Sequence, residues 1–187
     1  MTLTQLDAVR IDLAKRSFWN IGYFVAGSAF WVYVAAVAVL VPLDVARIYW
    51  LVGTFFIFPV AVAASRILGA DPFTKGNALG EFVGYTHMSV ITLTFPLVLV
   101  SFLYLPEAMV LVMAILYCVD FYVMTWAFGT RLFGLHAGSR VVTVTIIWFV
   151  LPNGRDIIIA AAVAIAYLVT VALIPPLRRK WLASNIA

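Results

Sequence analysis

Six apolar runs, each close to the thickness of a bilayer, restrict this chain more than anything else in it. They fall at about 18–41, 48–66, 82–105, 107–129, 136–151 and 157–175, and most of the links between them are only a few residues long. A hydrocarbon core about 30 Å thick needs about 20 helical residues to cross it. The 187 residues are 65% hydrophobic and 11% charged, against about 25% charged in a soluble domain, so the chain cannot cover itself with a polar surface. The expectation is an all-α polytopic membrane bundle of six transmembrane helices.

The links set the pairing. Val41–Asp44, Leu105–Glu107 and Leu151–Asp156 are short and carry Pro42, Pro106 and Pro152, and proline suits a tight link or a helix start but cannot continue a preceding helix. Short links make neighbours antiparallel, so the spans are expected as three hairpins. The chain then divides into an interfacial amphipathic lead at 1–17, a six-helix domain at 18–176 and a basic tail at 177–187. The lead is long and polar and has no small-residue cleavage pattern behind it, so the first span is expected to be retained rather than cleaved as a signal.

Orientation follows from the Lys and Arg on each side, since cytoplasmic loops carry the excess. With the N-terminus inside, the inner side holds Arg10, Lys15, Arg16, Arg66, Lys75, Arg131, Arg140, Arg178, Arg179 and Lys180, and the outer side Arg47 and Arg155, ten against two. Both termini are therefore expected in the cytoplasm and the protein in the plasma (inner) membrane. The fifth run is the shortest, with only Val141–Leu151 uninterrupted, and it crosses by borrowing Leu135–Arg140. The net charge of +4 is scattered at the ends of runs, which fits topology and headgroups rather than nucleic acid. Trp19, Trp126 and Trp181 on one side and Trp50 and Trp148 on the other fit interfacial belts, with Trp31 alone mid-span.

Polar residues collect in Asp71–His87. Asn77 is a plausible N-cap for the third span, which would present free N–H groups beside Lys75 and Arg66. Gly76, Gly80 and Gly84 recur every fourth residue, and small residues on one face let a neighbouring helix approach closely in lipid. His87 continues that stripe. Asp120 is the one carboxylate deep in a span. A charge there costs about 2.5–3.5 kcal/mol on insertion scales and normally faces the bundle interior. At 1.5 Å per residue, His87 and Asp120 lie roughly 9 and 14 Å from the inner ends of their helices, so within the third-to-fourth hairpin a direct or water-bridged contact is within reach. Glu81, Lys75, Asn77, Arg131 and Arg140 crowd the same half of the membrane, suggesting a cytoplasm-facing cavity. Each also has a plain structural reading: a packing groove with a hydrogen-bonded histidine, a packing Asp120, a solvated rim of topology-setting arginines.

Pro59 and Pro96 lie inside the second and third spans, where a lost backbone hydrogen bond allows a kink. Cys118 is single and surrounded by apolar residues, so no internal disulfide and no CxxC site can form. HExxH, GxSxG, P-loop and GxGxxG patterns are absent, and no metal or cofactor is expected.

The segment Phe73-Thr74-Lys75-Gly76-Asn77-Ala78-Leu79-Gly80 followed by Gly84, between the second and third of six short spans, resembles an uncharacterised family of small bacterial membrane proteins, a domain of unknown function. The length, the polar lead and the Phe58-Pro59 pair share in that resemblance. A histidine is expected in the fourth span of that family where this chain has Asp120, so no site residue carries over, and no activity comes with it. Three functions remain open. They are small-solute or proton-coupled transport or permeation, an intramembrane enzyme acting on a lipid or isoprenoid, and a non-catalytic subunit whose glycine face binds a partner helix. The residues lean away from an enzyme, because no nucleophile or metal pattern supports one. The expected partners are the bilayer and a small solute or anionic headgroup, with homo-oligomerisation left open.

Overall fold

The computed structural model describes residues 3–186, and its elements are helical throughout. They are α1 (Leu3–Arg16), α2 (Ile21–Leu40), α3 (Leu43–Ile67), α4 (Ala78–Tyr104), α5 (Met109–Leu116), α6 (Phe121–Phe128), α7 (Leu132–Val150) and α8 (Arg155–Ile186). Short 3-10 turns at Phe18–Asn20 and Pro106–Ala108 lead into α2 and α5. Six segments are long and apolar enough to cross a membrane: Phe18–Leu40, Leu43–Ile67, Ala78–Tyr104, Pro106–Phe128, Leu132–Val150 and Arg155–Asn185. The all-α six-span bundle and its hairpins are therefore present.

The fifth run is a full span of 19 residues, because the helix starts at Leu132, four residues before the sequence-based boundary. The sixth does not stop at 175. It runs through Pro175 and Pro176 to Ile186, so the basic residues of the tail continue a helix. That extension lets Arg178 donate from Nε to the Ala14 carbonyl at 2.6 Å and from Nη2 to the Lys15 carbonyl at 3.1 Å. Carbonyls at a helix end have no partner within the helix, and a cation suits the negative end of its dipole. The two ends of the chain are thereby tied together at one end of the bundle, the terminal face.

The spans form an incomplete ring. α2 packs against α3 on one side and α8 on the other; α8 meets α7, α7 meets α5 and α6, and those meet α4. Close approach occurs at glycines of α2: a Cβ on Gly22 would sit 2.7 Å from the Ala61 carbonyl, and one on Gly27 would strike the Tyr167 ring. The ring stays loose between α3 and α4, which are consecutive in sequence but touch sparsely. They are pinned at the end away from the termini, where Arg47 Nη1 donates to the Phe102 carbonyl at 2.8 Å. α4 is the least covered span, with 11% of its apolar window buried, which places it at the bundle's edge.

Trp19, Trp31 and Trp50 are buried in the core, so Trp19 and Trp50 do not form interfacial belts. Trp50 instead donates to the Val34 carbonyl at 3.2 Å across the α2–α3 hairpin. The lead is also more than a surface helix: Leu13 and Ala14 of α1 are buried, and α1 packs on α8, α4 and α6.

Candidate functional site: a buried histidine–aspartate pair between two cavities

The loop after α3 is held in place before α4 begins. Arg16 donates from Nη2 to Asp71 Oδ2 at 2.8 Å and to the Lys75 carbonyl at 2.9 Å. Burial acts to raise the Asp71 carboxyl, but the Phe73 N–H and the Arg16 guanidinium outweigh it and hold the group below its ordinary value. Asn77 caps α4, its side-chain oxygen accepting from the Gly80 N–H at 2.9 Å, as the sequence indicates. Its other end is tied to α1, Nδ2 donating to the Val9 carbonyl at 2.9 Å and to Asp12 Oδ2 at 2.7 Å. Glu81 accepts from the Gly76 N–H at 2.9 Å. Asn77 thus takes the Gly80 N–H and Glu81 the Gly76 N–H just before the helix, so two of the donors an anion would use there are already engaged.

Three turns into α4, His87 meets Asp120, Nδ1 to Oδ2, at 2.6 Å. The fourth span, read from sequence as one helix, is broken between α5 and α6. No Pro or Gly marks the break. Around it the bonds shorten to i→i−3, from Cys118 N to Ile115 O, Val119 N to Leu116 O and Phe121 N to Cys118 O, a tightening that often marks a functional hinge. Asp120 stands at the N-terminal edge of α6, where the positive end of the helix dipole favours a carboxylate. Its side chain is 4% exposed, while that of His87 is 24% exposed. The Tyr23 ring meets the imidazole edge-on, with ring centres 5.5 Å apart.

Two cavities share this pair. A vestibule of about 440 Å³ runs from Asn20 and the Pro72–Thr74 loop past Gly80, Glu81 and Gly84 to His87 and Asp120. A deeper chamber of about 140 Å³ lies between α3 and α4, against α2, α5 and α8. Tyr23, Phe58, His87, Asp120 and Phe121 line both, so the pair stands in the partition between them. The vestibule is bordered by Asn20, the last of three successive residues, Phe18–Asn20, with φ of 50°, 54° and 55°, a left-handed turn that costs roughly 1–2 kcal/mol per L-residue. Such strain persists only where surrounding structure imposes it, and here buried Trp19 anchors the turn.

The remaining sequence-predicted residues scatter. Lys75 and Arg131 are exposed, and neither lines the two cavities. Arg140 is buried elsewhere, its guanidinium carbon 5.2 Å from the ring centres of both Trp31 and Tyr167 and its Nη1 donating to Tyr167 Oη at 3.0 Å. Nearby His136 pairs Nδ1 with Thr170 Oγ1 at 2.7 Å. The glycine stripe is not a packing groove: Gly76 lies before the helix at φ +79°, and a Cβ on it or on Gly84 would meet nothing within 4 Å. The nearest atoms to a Cβ on Gly80 belong to Thr74 of its own loop and Leu13 of α1, not to another span. The reason is that α4 is at the bundle edge, so the stripe faces the vestibule rather than a neighbouring span. Sequence reading missed the aromatic share of the site. Tyr23 and Tyr167 come from α2 and α8 and Tyr117 from the break between α5 and α6, and only their position within apolar runs hinted at them. Among the described residues no group of three or more His, Cys, Asp or Glu side chains could hold a metal ion.

Fold and site together describe a multi-pass membrane protein with one ionisable pair set between an edge vestibule and an aromatic chamber. Residues 6–175 match a family of unknown function, DUF7010, and the chain belongs to that family. No curated protein and no solved structure matches the chain significantly.

Proposed function

We propose that the protein is a small proton-coupled transporter of the inner membrane, in which His87 and Asp120 carry the proton and the solute moves between chamber and vestibule. The observation that carries this reading is the 2.6 Å His87–Asp120 contact in the partition shared by both cavities. Intramembrane ionisable groups that face a cavity are the usual parts of proton relays, and histidine is a common proton shuttle. The ten-to-two bias of basic residues favours the terminal face, and with it the vestibule, as cytoplasmic. An intramembrane enzyme is less favoured, because Lys75, Arg131 and Arg140 do not converge on the pair to hold a phosphate. A partner-helix role for the glycine face is less favoured because Gly80 and Gly84 line the vestibule.

The test is reconstitution in liposomes with a pH-sensitive dye inside and an imposed pH gradient, across a panel of small solutes. Solute-dependent proton movement is expected in the natural protein and its loss in Asp120→Asn and His87→Gln. Equal proton movement in the folded variants would overturn the proposal.

A further inference from the structure

The chamber is part of the site just described, so what it accepts rests on the transport reading while being testable separately. Nine of its seventeen lining residues are Phe, Tyr or Trp, and aromatic faces are negative and attract cations. Asp120 is the one carboxylate among the lining residues and is almost fully buried. An anionic head in this space would meet a like charge in a poorly screened setting; a cation would meet both the carboxylate and the ring faces. Arg140 does not line the chamber, but it already sits against Trp31 and Tyr167, so a second positive charge is steered away from those rings and toward Tyr23 and Phe58, beside Asp120.

The chamber also has a side door. α3 and α4 are pinned by Arg47 at one end, and between them stand Phe55 and Phe95, edge-on with ring centres 6.2 Å apart. Phe55 is 65% exposed on the outside of the bundle, where the solvent is lipid. Phe55 and Phe95 stand in this opening as side chains, and side-chain rotations are fast compared with helix motions.

We infer that the chamber takes a lipophilic organic cation, an apolar body with one positive head, which enters from the bilayer between α3 and α4 and sets its charge against Asp120. Three molecules with the same tail separate this from its alternatives: octyltrimethylammonium, octanol and octyl sulfate. Binding to the full chain in nanodiscs is measured by calorimetry, with partition into empty nanodiscs subtracted. The ammonium compound is expected to bind at least about tenfold more tightly than either other, a factor of ten being about 1.4 kcal/mol, and Asp120→Asn to remove that preference. Phe55→Ala leaves the buried core untouched and is expected to weaken ammonium binding several-fold, which keeps the inference testable if Asp120→Asn does not fold. Equal binding of octyl sulfate or octanol, or an unchanged preference in folded Asp120→Asn, would overturn it. Ammonium binding without proton movement would retain the ligand class and remove the transport reading; proton movement without head-group preference would do the reverse.

Discussion

The protein holds two histidine-containing polar clusters inside its apolar bundle, and they are built in opposite ways. At α4 and α6, His87 and Asp120 form one short contact and otherwise face open volume. At α7 and α8, His136, Arg140, Tyr167 and Thr170 are all buried, and the rings of Phe24, Phe121, Trp31 and Tyr167 close around them. Residue type does not separate the two, since each holds a histidine and one charged residue, Asp120 in the first and Arg140 in the second. The difference is coverage. α7 and α8 sit within the ring of spans, whereas α4 lies at its edge, so the first cluster stays reachable and the second is fixed by packing. Buried ionisable groups in a membrane are candidates for function by default; the size of the adjoining space separates these two, since Arg140 borders a cavity of only about 50 Å³ while His87 and Asp120 face about 440 Å³ and 140 Å³.

The sharpest break in this comparison lies at Arg140. Among the described residues its Nε and Nη2 find no hydrogen-bond partner, so most of its contribution should be the space it fills and its ring contacts. Arg140→Ala should lower stability by about 3 kcal/mol, in the range for emptying a large buried site. Arg140→Met, which keeps the bulk and removes the buried charge, should be near neutral. Thermal melting in detergent checks both, and an Arg140→Met as damaging as Arg140→Ala would make the charge itself structural. In the open cluster the functional effect should exceed the structural one: Asp120→Asn should cost about 1.5–3 kcal/mol, as for losing a hydrogen bond to a charged group, and cut proton-linked transport at least tenfold.

Asn77 belongs to the framework that holds the open cluster in place. Its loss removes a helix cap and two hydrogen bonds to α1, so Asn77→Ala should cost about 1–2 kcal/mol, read from the same melts. Smaller still is the contrast between two glycines of α4. Gly84→Ala meets open space and should gain up to about 1 kcal/mol through helix propensity, while Gly80→Ala meets Thr74 and Leu13 and should lose stability. The smallest effect is at Asp71, whose folded-state value is depressed below 3.8. Its contribution is complete above the unfolded value and disappears as pH falls through the folded one. Asp71→Asn should therefore flatten the acid end of the stability profile only slightly, because the pair with Arg16 is partly exposed.

Parts of this site are legible in the sequence alone. Asn77 reads as a cap because a short polar side chain stands directly before a long apolar run. His87 and Asp120 read as partners because helical rise places them at similar depths on one hairpin. Arg140 reads wrongly as part of the same rim, since depth along a helix says nothing about which neighbour it faces. The glycine stripe misleads for a related reason: spacing defines a face, but only the position of α4 in the bundle decides whether that face meets a helix or a cavity. The break before Asp120 has no sequence marker at all, because Tyr117-Cys118-Val119 contains no helix breaker and the tightening arises from its surroundings.

The number of spans and their pairing follow from the sequence alone, because length and proline-marked links are local properties that a bilayer reads directly. Tertiary structure alone decided that α3 and α4 stand apart, that two cavities meet at His87 and Asp120, and that an aromatic wall from five helices surrounds them. Those are relations between faces of different helices, and they depend on how side chains from distant parts of the chain fill shared space.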